Sequence, residues 1–259
     1  MAYIGNREFL IEVAKGNIAG HSIIHKFGKN ISTNTSFTPV SVGGIYQTPQ
    51  TGSATTLRIK SGGNANDTAA GSGARKVMLE GIDETGAIVT EELTTAGASA
   101  SSTTTTTFIR LYRAYVSESG TYGTSSTGSH SGAIVIENGG GGTDWAEISV
   151  TNYPKAQTEI GVYTIPNGYT GYLINAFGFT DSSKTTELIF FKRTGILDTS
   201  APYDAVRIVF EERVEGGEFK VDPKAPILLG TACDCGFMAK VGTGSAEVDV
   251  DFEILLIEN

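Results

Sequence analysis

The chain has 259 residues, of which 39% are hydrophobic and 18% charged, and 28 acidic against 19 basic side chains give a net charge of −9. That length can bury one large core or two small ones, and the acidic balance argues against nucleic acid or an anionic membrane as a partner. No run of 18 apolar residues is present to cross a bilayer as a helix.

Residues 1–50 carry little regular pattern. Arg7 and Glu8 interrupt the first ten residues, so no cleavable leader is read there and synthesis in a cytoplasm is expected. Residues 9–14 fit either a short strand or a helical turn. Gly16, Gly20, Gly43, Gly44 and Pro49 then punctuate the chain. Apolar and imidazole side chains are spaced through the segment: Phe9, Ile11, Ile18, His21, Ile23, Ile24, His25, Phe27 and Phe37. An isolated arm cannot recover an ordering entropy of roughly 1–2 kcal/mol per residue without burial against something. An irregular arm is therefore expected, gripping a neighbouring subunit or wrapping its own sandwich. His21 and His25 would share a helix face, but the glutamate-flanked zinc helix is absent and no metal is expected.

Strand signals start near residue 54. Segments 54–60, 75–81 and 88–93 are β-prone, and Ile82 to Gly86 makes a hairpin connection between the last two. Segment 103–116 reads as a long strand with a bulge, containing Arg110 and Arg113 among aromatics, for which interstrand pairing or an intersubunit contact is expected. Polar loops fill 61–73 and 117–132, and His130 in the second is expected to be solvated. Strands follow at 133–137 and 145–150. The four glycines at 139–142 read as a flexible tip, because no Lys-Ser or Lys-Thr pair follows to hold a phosphate.

The last hundred residues show the strongest pattern, with strands expected at 159–164, 170–179, 187–192, 205–212, 227–229, 233–240 and 245–258. In the last, Val248, Val250, Phe252, Ile254 and Leu256 alternate with Glu247, Asp249, Asp251 and Glu253. That period of two marks one buried and one wet face. The four acids are read as a solvated, partner-facing outer strand. Asp249 and Asp251 would stand about 7 Å apart, which suits a glycosidase pair or a weak cation site, but a row of four acids favours a surface role. The expected fold is all-β: jelly-roll or β-sandwich modules over 51–155 and 156–259, divided near 152–158, behind the arm of 1–50.

Nothing in the pattern marks an enzyme. Hydroxyls abound, but no nucleophile stands beside a base and an orienting group. Cys233 and Cys235, two apart, are too close for an unstrained disulfide and are expected to be reduced and buried. No cofactor is expected.

Several stretches resemble a group of proteins encoded by tailed bacteriophages, marine ones especially. They are 12–28 (EVAKGNIAGHSIIHKFG), 74–83 (ARKVMLEGID), 108–116 (FIRLYRAYV) and 160–172 (IGVYTIPNGYTGY). The resemblance extends over most of the chain and implies a virion structural protein located in the virion. Its motifs name no chemistry, and the Cys233–Cys235 pair departs from the group. A capsid cement or decoration protein that stabilises the shell is the leading expectation. The implied partners are the chain itself, as a homo-oligomer and possibly a trimer, and the major capsid protein. The alternatives are a tail, neck or fibre-attachment protein, with tail or neck proteins as partners, or a carbohydrate-binding module for host glycans. For the last, Tyr46, Tyr115, Tyr122, Tyr172 and Trp145 supply candidate stacking rings.

Overall fold

The computed structural model describes residues 6–150 and 155–259, so the division expected near 152–158 lies partly outside the described residues, as do residues 1–5 of the arm. The architecture is predominantly β. A short helix, α1 (Asn6–Ala14), is followed by β1 (His21–Thr33), β2 (Thr38–Pro39) and a 3-10 turn at Val42–Gly44. Then come β3 (Leu57–Ile59), β4 (Ala74–Ile82), β5 (Ile88–Thr94), β6 (Arg110–Ser119), β7 (Ile134–Asn138) and β8 (Asp144–Ile148). The chain ends with β9 (Val162–Ile165), β10 (Tyr169–Arg193), β11 (Arg207–Val221), β12 (Ile227–Gly230), β13 (Cys233–Val241) and β14 (Ala246–Glu258).

Eight of these strands form one bent sheet that nearly closes on itself. Its path is β1-β14-β10-β13-β2, with β11 and β12 also on β10 and β9 on β13. The closure comes from β10. Its first half pairs with β14, Tyr169 opposite Glu258 through Thr180 opposite Val248. Its second half pairs with β13, Thr186 opposite Val241 through Arg193 opposite Asp234. One 25-residue strand thus passes from one layer to the other, and β11 follows it round the bend with a register shift between Thr180 and Thr185. The sequence pattern reads those halves as two strands, because the bend breaks the alternation.

Between the layers, Phe190 meets Phe210, Phe237 and Phe252 at centroid distances of 5.3, 5.1 and 5.3 Å. The last two contacts are edge-on, the geometry the ring quadrupole favours. Phe219 joins through Phe237 at 5.8 Å.

Closure at the other side depends on missing side chains. Gly161 donates to the Val40 carbonyl and accepts from the Phe237 amide, at 2.8 and 2.9 Å. A Cβ on Gly28 of β1 would fall on the Gly161 backbone and the Val40 carbonyl, and one on Gly236 of β13 would fall on the Gly161 carbonyl. Three backbones therefore meet where only glycine fits.

Residues 57–148 build two three-stranded sheets, β3-β7-β8 and β5-β4-β6. Leu57, Val77, Leu79, Phe108, Leu111, Ile136, Trp145 and Ile148 form their core. The two cores interlock: Val162 and Phe191 of the large sheet sit in this core, while Ile82, Ile109 and Tyr112 sit in the barrel core.

Three local expectations are corrected. Of the segment read as an irregular arm, His21–Thr33 is a regular strand paired with β14, His21 opposite Ile257 through Asn30 opposite Val248. Its short apolar run gives no clear period, so only the partner strand reveals it. Second, the row of acids is not an outer strand, since β14 lies between β1 and β10. Third, His130 is buried, its Nδ1 donating to the Gly132 carbonyl at 2.7 Å. The reason is Asp67, whose carboxylate accepts from the amides of Ala74, Ser131 and Gly132 and ties the two polar loops together.

Candidate functional site

The register places the expected arm residues and the expected acidic row on one sheet. Directly opposite residues share a face. Ile23, His25, Phe27 and Lys29 of β1 lie opposite Leu255, Glu253, Asp251 and Asp249 of β14. Those residues lie opposite Tyr172, Asn175, Phe177 and Phe179 of β10. The outward face therefore runs in rows, Phe27–Asp251–Phe177 and Lys29–Asp249–Phe179 being the central two. Phe177 and Phe179 are 39% and 40% exposed.

The four acids are largely matched from within. Lys29 Nζ bonds Glu247 and lies 3.2 Å from Asp249. His25 Nε2 lies 2.8 Å from Asp251, and Asn175 donates to Glu253 at 2.7 Å. Partial burial holds the Asp249 carboxyl above its usual range, against the pull of Lys29. The Glu247 and Asp249 hydrogen bonds hold the Lys29 ammonium above its usual range, against the cost of its burial. Among the described residues no group of three or more His, Cys, Asp or Glu side chains is arranged to hold a metal ion.

The remaining arm residues scatter. Phe9 stands edge-on to His21 at 5.9 Å, Ile11 is exposed on α1, and Ile18 is half-buried in the following turn. Ile24 turns inward onto the barrel core. Phe37 is exposed, with the Lys240 ammonium 4.7 Å above its ring.

A second cluster escapes sequence reading. Asp234, between the two cysteines, is fully buried and receives Arg110 Nε and Nη2 at 2.8 Å each. Arg193 Nη2 adds a bond at 2.8 Å and Thr164 Oγ1 another at 2.8 Å. Arg110 is 0% exposed and also donates to the carbonyls of Ile109 and Pro49. The arginine bonds hold the Asp234 carboxyl below its usual range although burial pushes the other way. The interstrand use expected for the arginines is what the structure shows: Arg110 crosses to β13, and Arg113 of β6 reaches Glu80 of β4. The cysteines are free and buried, and burial pushes the Cys233 thiol up to about 12, so neither is a poised nucleophile.

A third feature is a cleft of about 340 Å³ between β1 and the β4–β6 sheet. Lys26 of β1 reaches it from inside the barrel, where it is 8% exposed and donates to the Tyr112 carbonyl at 2.5 Å. Burial, then the Arg113 charge, pull its pKa down to about 7, while Glu80 acts the other way.

No protein-family model matches the chain, and no curated protein matches it. Among solved structures, PirA aligns at 4% identity over 36% of this chain and 90% of its own, with a TM-score of 0.23. The Yersinia pseudotuberculosis-derived mitogen aligns at 8% identity over 35% of this chain and 80% of its own, with a TM-score of 0.20. A structure of the infectious bursal disease virus Gx strain aligns at 10% identity over 92% of this chain and 76% of its own, with a TM-score of 0.23. Overlaps this low carry no conclusion about function, and the chain is described by its own geometry, an all-β fold with a nearly closed sheet.

Proposed function

We propose that the chain is a virion structural protein that works by assembly rather than by chemistry, as a cement or decoration protein on a capsid shell. The observation that carries this reading is the outward face of the large sheet, where Phe27, Phe177 and Phe179 alternate with carboxylates. A rigid sheet presents that face, and β14 is paired on both sides, so the face docks without refolding. Covering the remaining exposed area of Phe177 and Phe179 is worth about 2 kcal/mol each. Glu247 and Asp249 share the Lys29 ammonium and Asp251 is hydrogen-bonded by His25, which lowers the desolvation cost of burying the row against a neighbouring subunit. The stretches resembling bacteriophage virion proteins point the same way. A homo-oligomer, with a trimer as the first arrangement to test, belongs to this proposal. Tail, neck or fibre attachment is the second reading, and copy number separates it from the first.

A particle reconstruction at side-chain resolution is the direct test. Density for the sheet face against shell subunits at many copies per particle is the expected result. Six or twelve copies would move the protein to the tail or neck. The double substitution F177S/F179S is expected to leave a folded protein with incorporation reduced at least tenfold. Unchanged incorporation would remove the face from the assembly.

A further inference from the structure

We infer that the cleft between β1 and β6 is a binding site for a compact ring bearing one carboxylate, with the Lys26 ammonium as its anchor. Lys26 is over nine-tenths buried, yet among the described residues its Nζ has one hydrogen-bond acceptor, the Tyr112 carbonyl, and no carboxylate within ion-pair distance. An ammonium carries three donors, so two are left for a ligand. The Tyr112 ring lies 5.9 Å from the same ammonium, but a buried cation without a counter-ion is costly, and an anion entering the cleft supplies the missing charge.

The walls define the rest of the ligand. Tyr112, Tyr163 and Tyr169 line one side and Ile24, Ile88 and Leu256 add apolar surface. A cleft of about 340 Å³ is at the small end of ligand sites, which fits one ring. At the rim, Arg113 lies 3.5 Å from Glu80 and stacks on Tyr115 at 4.5 Å. Lys26 and Arg113 against Glu80 leave one net positive charge, which selects a monoanion. His25, the remaining basic group of the lining, is already held by Asp251. A sugar acid and an aromatic acid share this chemistry, and the sugar acid would give a glycan-binding role its site. The cleft meets the outward face at Ile23 and His25 but includes none of Phe27, Phe177 and Phe179, which carry the assembly reading.

A pH dependence follows. From β1 the cleft sees His25, from β4 Glu80, from β6 Arg113 and Tyr112, from β9 Tyr163 and from β10 Tyr169, and Cys235 of β13, outside the lining, also acts electrostatically on Lys26. Burial raises the Tyr112, Tyr163 and Cys235 groups, so they stay neutral between pH 7 and 9. Lys26, pulled down to about 7, loses its proton across that window, and affinity for an anion falls with it.

Calorimetric titration of the full chain with D-glucuronate, benzoate and D-glucose, at pH 7 and pH 9, tests the site. At least one of the two acids is expected to bind 1:1 at pH 7, with glucose inert, and to weaken at least about tenfold by pH 9. Lys26→Met is expected to abolish that binding and Arg113→Gln to weaken it several-fold, each with an unchanged circular dichroism spectrum. Should Lys26→Met not fold, Arg113→Gln and a ligand-induced rise in the Lys26 Nζ titration midpoint by NMR decide instead. Which acid binds distinguishes the sugar from the aromatic class. Failure of both acids to bind, glucose binding as tightly, or acid binding that survives in folded Lys26→Met would overturn the site. Particle incorporation of the same variant is expected to be normal, so the cleft and the assembly face stand or fall separately.

Discussion

Asp234 is flanked by two cysteines that attract more notice in the sequence, yet the acid is the residue with consequences. Its two arginine partners come from β6 and β10, 124 and 41 positions away, and no local pattern announces such a meeting. Replacing Asp234 with Asn leaves Arg110 charged in a site with no solvent access. The expected loss is about 3–5 kcal/mol, read from urea unfolding midpoints. Removing both charges, as in R110M/D234L, is expected to cost less, because no uncompensated ion remains. Lys26 gives the opposite sign. Its folded pKa lies below the ordinary lysine value, so the unfolded chain binds more protons between about pH 7 and pH 10. The wild type should therefore gain stability relative to K26M as pH rises from 7 to 9, with the advantage of K26M greatest below pH 7. The same difference between the two urea midpoints at pH 6 and at pH 9 would contradict this account. Neither residue stands out in the sequence, because a single Asp or Lys inside a strand reads as a solvated side chain until its neighbours are known.

At the scale of elements, β14 was legible and β1 was not. The alternation from Glu247 to Leu256 defines β14 by itself, since one face meets the barrel core and the other meets water. In β1 the inward positions are Ile24, Lys26, Gly28 and Asn30, which include one aliphatic residue in four. The inward Lys and Gly serve the cleft and the three-glycine crossing rather than the core, so the apolar period is lost. The crossing makes a sharp prediction. Gly28→Ala places a methyl on the Gly161 and Val40 backbones, which cannot yield as a side chain would. We expect a cost above about 3 kcal/mol, or failure to fold, because the added atom displaces β1. Gly140→Ala, where an added Cβ meets nothing within 4 Å, is the control and should shift the melting temperature by less than about 2 °C. Equal effects at the two glycines would mean that β1 is not held by this contact.

For the whole molecule, the position of β1 changes how the N-terminal segment should be tested. Truncation of residues 1–30 would strip nearly all of a strand that pairs with β14 over its length, and loss of incorporation would then report unfolding. Truncation of residues 1–19 removes α1 and spares β1. The shorter truncation is expected to keep a cooperative thermal transition, while removal of residues 1–33 abolishes it, as read by circular dichroism melting. If residues 1–19 grip a neighbour, incorporation into particles falls with the transition intact. Unchanged incorporation would leave the outward sheet face as the remaining contact.

Composition and period fixed the class of this protein: an acidic, glycine-rich chain of many short strands, because threonine, valine and isoleucine at a spacing of two have no other economical way to bury one side. The same reading found β4, β5, β7, β12, β13 and β14 close to their observed bounds, and it placed the reduced, buried cysteines correctly. Only the tertiary structure decided that β10 is one bent strand spanning both layers, that β1 belongs to the same eight-stranded sheet, and that the acidic row is matched by Lys29, His25 and Asn175. Those facts depend on partners far away in sequence. A strand's pattern records which side is buried, but not which strand lies beside it or which charges that neighbour brings.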